Sequence, residues 1–136
     1  MKQLTQFSMV VLFMSLLAAC GNGQTNSADG SIAQNVNVEQ FSGHIGTAQL
    51  VDVRTPAEWN EGIMEGAKLF NIYEDDFEKN LGTLDKEKPV AVYCKVGGRS
   101  GQAMAKMKEL GFKEVYNLDG GMDAWKRAGK PTVSPK

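Results

Sequence analysis

Val90-Ala91-Val92-Tyr93-Cys94-Lys95-Val96-Gly97-Gly98-Arg99-Ser100 sets a short apolar run, preceded by Pro89, directly before a cysteine and a glycine-rich basic loop. The run is rich in β-branched and aromatic residues, which predicts a buried strand over Val90 to Tyr93. Downstream, Ala103, Met104, Met107 and Leu110 recur at helical spacing with Lys106, Lys108 and Glu109 off that face. A helix is therefore expected from Ser100 or Gly101, closed by Gly111. Strand, loop and helix in that order form the unit of a parallel α/β sheet. In open sheets of this kind ligands sit beyond the carboxyl ends of the strands, where loops lead into helix N-termini. Cys94 stands at such a place.

The flanking sequence repeats the alternation. Asn37 and Gln40 suit a capping box opening a helix through Phe41 and Ile45, stopped at Gly46. Gln49 to Val53 reads as a strand. Thr55-Pro56-Ala57-Glu58 combines a cap, a proline at the first helical position and a glutamate three residues after the cap, so it opens a brief helix ending near Gly62. Lys68 to Ile72 is the next expected strand, Glu74 to Leu81 a helix ended by Gly82, Val115 to Leu118 a strand and Met122 to Ala128 the last helix. From Val36 onward the chain is thus α/β with a mostly parallel sheet. Gly21 to Asn35 is rich in Gly, Asn, Ser and Gln and reads as a flexible tether, on the order of 20 Å end to end.

The whole chain has 136 residues, enough for one compact domain. Its 15 basic and 16 acidic residues are interspersed and give a net charge of -1, with no field to draw it onto nucleic acid. There is one histidine, His44, so a Cys-His dyad would require a residue near the start of the domain to reach Cys94; a surface position at a helix end is expected instead. Paired-cysteine and paired-histidine zinc spacings are absent from the sequence, and no metal or cofactor is implied.

In the loop, adjacent Gly97 and Gly98 let successive backbone N–H groups turn toward one point, and the following helix adds unpaired donors and the positive end of its dipole. Lys95 and Arg99 add positive charge, Arg99 with a planar fork suited to a sulfur oxyanion. The thiolate is the nucleophile, and a free cysteine with a pKa of about 8.5 is only ~3% ionised at neutral pH. Donors aimed at Cys94 would favour the anion and would equally stabilise a persulfide anion.

Asp52-Val53-Arg54-Thr55-Pro56-Ala57-Glu58-Trp59, Gly66-Ala67, the loop Cys94 to Ser100, Leu110-Gly111-Phe112 with Val115, and Leu118-Asp119-Gly120-Gly121 with Trp125 together resemble the single-domain rhodaneses. The resemblance runs from about Val36 to Val133. It implies a rhodanese-like α/β fold, its central mostly parallel sheet flanked by helices on both faces. It also implies that Cys94 is the sulfur-carrying nucleophile, that Lys95, Val96, Gly97, Gly98, Arg99 and Ser100 form the substrate-binding loop, and that Asp52 and Arg54 support the site. Gly120-Gly121 and Trp125 are expected to be packing residues. Four residues separate Cys94 from Arg99; the related phosphatases have a loop one residue longer, so sulfur chemistry is expected rather than phosphate release. The sequence Gly62-Ile63-Met64-Glu65-Gly66-Ala67 departs from the family, which usually has a histidine where Ile63 stands.

At the N-terminus, Lys2 precedes a nearly continuous apolar run from Phe7 to Ala19, broken by Ser8 and Ser15. As a helix it would span ~20 Å, short of the ~30 Å core that a transmembrane helix must cross. It reads as an export signal. Leu17-Ala18-Ala19-Cys20 resembles the lipobox of bacterial lipoproteins, which implies lipidation at Cys20, an anchor in a membrane and a place in the bacterial cell envelope. The domain would face the periplasm if there are two membranes, or lie on the outer face of the cell membrane if there is one. Gly21 rather than aspartate after the cysteine leans toward the outer membrane. Cys94 would then be the only remaining thiol, with no partner for an internal disulfide.

The function expected on these grounds is sulfur transfer from a small donor such as thiosulfate, through a Cys94 persulfide, to a thiol, a cyanide-like acceptor or an acceptor protein. The alternative is a sulfur-delivery, binding or redox-sensing module that acts through Cys94 without turnover.

Overall fold

The structure is a computed structural model that describes residues 25–26 and 29–136. The export signal, Cys20 and the first part of the tether lie outside the described residues.

A six-stranded sheet forms the centre, built from β1 (Thr25–Asn26), β2 (Ile32–Val36), β3 (Gln49–Asp52), β4 (Lys68–Leu69), β5 (Val90–Tyr93) and β6 (Glu114–Leu118), in the spatial order β1-β2-β6-β5-β3-β4. Among the described residues five strands run parallel, and β1 pairs antiparallel with β2. Helices α1 (Val38–His44), α2 (Pro56–Trp59), α3 (Phe77–Leu81), α4 (Gly98–Glu109) and α5 (Gly121–Arg127) connect them.

Alternation along β5 creates two cores, because successive side chains of a strand point to opposite faces. Val90, Val92 and Cys94 join Phe77, Leu81, Ala103, Met107 and Phe112 on the α3/α4 side. Ala91 and Tyr93 join Phe41, Tyr116, Leu118, Met122 and Trp125 on the α1/α5 side. All four β5 residues are buried, as the near-continuous apolar run of a doubly covered parallel strand requires.

Both expected capping boxes are present: Asn37 with Gln40 opens α1, and Thr55 with Glu58 opens α2. Several boundaries differ from those the sequence predicts, four of them with a clear physical reason. The tether expected up to Asn35 runs into a strand, since Ile32–Val36 pairs along its whole length with Glu114–Leu118. Its polar Gln34 and Asn35 concealed it, because the strand is held by its backbone ladder more than by apolar side chains. Helix α3 starts at Phe77 rather than Glu74, since the Asn71 side chain accepts from the Tyr73 N–H and donates to Glu74, making a turn of that segment. Strand β4 is only two residues long, although Phe70 and Ile72 still donate to the carbonyls of Asp52 and Val53. Helix α4 begins at Gly98, two residues before the earlier expected start, because Gly97 adopts a left-handed conformation (φ 106°) that turns the chain into the helix without a side-chain cap.

Candidate active site

Cys94 follows β5 directly, its residue 1% exposed, with its sulfur at the N-terminus of α4. Two donors reach Sγ: the Gly97 N–H at 3.1 Å and the Ser100 hydroxyl at 3.2 Å. Burial pushes the thiol up; the Ser100 hydroxyl and the backbone N–H groups of Ser100, Gly97 and Val96 outweigh it and hold Cys94 below the ordinary thiol value. The site therefore favours a sulfur anion at Cys94, as its loop sequence anticipates.

Helix α5 fastens the loop from the other side. Its first turn donates to the loop carbonyls, from Met122 N–H to Cys94 at 2.8 Å and from Asp123 N–H to Lys95 at 3.0 Å. A Cβ at Gly121 would stand 2.5 Å from the Cys94 and Lys95 carbonyl oxygens. Gly121 is thus more than a packing residue, since only its missing side chain lets helix and loop meet. Asn117, buried in β6, adds a third fastening by donating to the Gly97 carbonyl at 3.1 Å and to the Asn35 side chain at 2.9 Å.

The loop cations depart from expectation. The Arg99 guanidinium lies against Glu58, with Nη1 to Oε2 and Nη2 to Oε1 both 2.7 Å, and each side chain is 21% exposed. The guanidinium, with Thr55 donating as well, holds the Glu58 carboxyl down at about 2 despite partial burial. Lys95 Nζ is 2.9 Å from Asp123 and largely exposed. Both cations, expected to serve the donor, are paired with carboxylates. Gly98 is the first residue of α4, and Val96 presents an exposed side chain at the rim.

Residues 37–128 match the rhodanese-like domain.

This chain belongs to the rhodanese-like family. A sulfurtransferase of Allochromatium vinosum is 38% identical to it over 87 residues, covering 64% of this chain and 79% of that protein. A thiosulfate sulfurtransferase of Shewanella oneidensis is 37% identical over 82 residues, covering 60% of this chain and 79% of that protein. The solution structure of a homodimeric polysulfide-sulfur transferase from Wolinella succinogenes superposes with a TM-score of 0.63 at 31% identity, over 75% of this chain and 79% of that chain. These relatives support a sulfur-transfer role.

Within the rhodanese-like domain, Asp52 and Arg54 form a buried pair. Arg54 Nη2 is 2.7 Å from Asp52 Oδ2 and 2.7 Å from the Gly62 carbonyl, and its guanidinium lies over the Tyr93 ring at 5.6 Å. Strand alternation and the contact with Tyr93 place the pair on the α1/α5 side, opposite to Cys94. There it ties β3 to the segment after Gly62, whose Met64 N–H donates to the Tyr93 hydroxyl at 3.0 Å. Ile63, standing where the rhodanese-like family usually has histidine, is buried and bridges to Val133 through paired backbone bonds of 2.8 Å. His44 stacks on Tyr116 at 3.8 Å, at the end of α1. The residues that the sequence did not single out for the site are Glu58, Asn117, Asp123 and Gly121. Only Gly121 left a signal, a glycine pair one residue beyond a strand.

Proposed function

We propose that this protein is a sulfurtransferase in which Cys94 carries sulfur as a persulfide between a small donor, such as thiosulfate or a polysulfide, and a thiophilic acceptor. The observation that carries the reading is the pair of donors on Cys94 Sγ, from Gly97 and Ser100, which lowers the thiol and suits a persulfide anion equally well. With thiosulfate, the Cys94 thiolate attacks the outer sulfur, the S–S bond breaks, and sulfite leaves with the electron pair. An acceptor such as cyanide then bonds to the terminal sulfur and leaves as thiocyanate, returning the thiolate.

The test is thiocyanate formation from cyanide with thiosulfate and with polysulfide, set beside Cys94→Ser. Turnover lost in the variant supports the reading. A folded protein that acquires no sulfur from either donor would refute it.

The domain works, in this proposal, at the surface of a membrane, anchored through acyl chains on Cys20. The support is the short apolar run ending in Leu17-Ala18-Ala19-Cys20, and more than one chain is needed for stable anchoring. Incorporation of labelled palmitate that disappears in Cys20→Ala checks this; equal labelling of the variant would exclude it.

A further inference from the structure

We propose that Glu58 sets the donor specificity of the Cys94 site: by holding the Arg99 guanidinium in a two-pronged pair, it withholds that cation and directs the site toward sulfur donors of low charge, such as alkyl persulfides, over dianions such as thiosulfate. The inference rests on Cys94 being the sulfur-accepting atom.

The arrangement around the sulfur supplies the argument. Residues 94–100 contain two cations, Lys95 and Arg99, and each is matched by a carboxylate at hydrogen-bond distance. Glu58 is held in place independently of Arg99, because Oε2 also accepts from the Thr55 N–H and hydroxyl at 3.1 and 3.0 Å. Arg99 must therefore leave an anchored carboxylate to meet a donor. Glu61 adds a further negative charge within electrostatic reach of Lys95. An anionic donor thus meets a cradle of backbone and hydroxyl dipoles whose surrounding side chains carry no net positive charge. The rim beside these pairs includes the exposed Val96 of the loop itself, which suits the apolar body of an alkyl donor. With such a donor the Cys94 thiolate bonds to the outer sulfur of R–S–SH, the S–S bond breaks, and the thiolate R–S⁻ leaves while the proton stays on the transferred sulfur.

Glu58→Gln separates charge from structure, since glutamine also serves at the third position of a capping box. The experiment uses the full chain, folding checked by circular dichroism, and three methanethiosulfonate reagents: the uncharged methyl compound, the anionic sulfonatoethyl compound and the cationic trimethylammonium-ethyl compound. Each converts Cys94 to a mixed disulfide and releases a sulfinate, and its rate is read at the Cys94 peptide by mass spectrometry. In Glu58→Gln the anionic reagent should gain about tenfold relative to the uncharged one, the cationic reagent should lose relative to it, and kcat/KM for thiosulfate should rise by a similar factor. In the double variant Glu58→Gln/Arg99→Gln the pair goes as a unit and the wild-type ratios should return.

If Arg99 itself binds the donor and Glu58 only orients it, Glu58→Gln lowers kcat/KM for thiosulfate, the double variant loses anion reactivity, and the proposal is overturned. Should the single variant fail to fold, the double variant alone decides between these outcomes. Absence of sulfur uptake at Cys94 from any donor would overturn the underlying reading as well. That failure is distinguishable, because the reagents report charge at the thiol whether or not sulfur is transferred.

Discussion

Two arginine–carboxylate pairs sit on opposite sides of β3 and β5, each with a shortest contact of 2.7 Å, and they serve different ends. Asp52–Arg54 is almost wholly buried, at 0% and 2% exposure, and the Nη2 that donates to Asp52 donates also to the Gly62 carbonyl. Glu58–Arg99 is partly exposed and lies at the rim of the Cys94 loop. A buried pair is difficult to lose because either partner alone would be an uncompensated charge in a low-dielectric interior. A rim pair can exchange partners with solvent or a ligand at modest cost. Similar contact chemistry thus builds framework in one place and adjustable charge in the other.

Breaking the buried pair should have the largest effect. Arg54→Met leaves Asp52 buried without its cation and should cost about 3–5 kcal/mol in urea unfolding. The pH midpoint for alkylation of Cys94 in the remaining folded protein should stay unchanged, because the pair acts on the other face. A shifted midpoint would mean that the two regions are coupled. Gly121→Ala should come next, at about 2–4 kcal/mol, since its methyl would meet the Cys94 and Lys95 carbonyls from a left-handed backbone. Unlike Arg54→Met, it should also move the thiol midpoint.

Ser100→Ala inverts the pattern. Its loss should appear in chemistry, lowering transfer by about tenfold to a hundredfold and raising the alkylation midpoint of Cys94 toward the ordinary thiol value, for a lost hydrogen bond to an anion of about 1.5–3 kcal/mol. The smallest effect belongs to the rim pair. Glu58 has its folded value near 2 against an ordinary 4.5, so its contribution is fully present above 4.5 and disappears as pH falls through about 2. With solvent screening this is worth about 1 kcal/mol, and acid-unfolding curves of Glu58→Gln should lack that component.

Much of this was legible because it is local. Asn37 with Gln40 and Thr55 with Glu58 announce their helices through spacing alone, and Cys94 is marked by the strand before it and the glycines after it. The pairing of Arg99 with Glu58 joins residues 41 positions apart and is not encoded in either neighbourhood. The sequence accordingly points Glu58 to its helix cap and Arg99 to the donor. Asn117 and Asp123 reach the loop from β6 and α5 for the same reason: their roles exist only once the sheet has closed. Ile32–Val36 carries no such mark, because a strand held by its neighbour's backbone need not show an apolar pattern.

The central claim is that Cys94 carries sulfur. Peptide mass measurement after exposure to polysulfide tests it most directly. The account predicts the gain of one sulfur atom on the Cys94 peptide, its removal by cyanide, and one equivalent of thiocyanate released. A Cys94 peptide of unchanged mass in the folded protein, or sulfur acquired equally by Cys94→Ser, would contradict it.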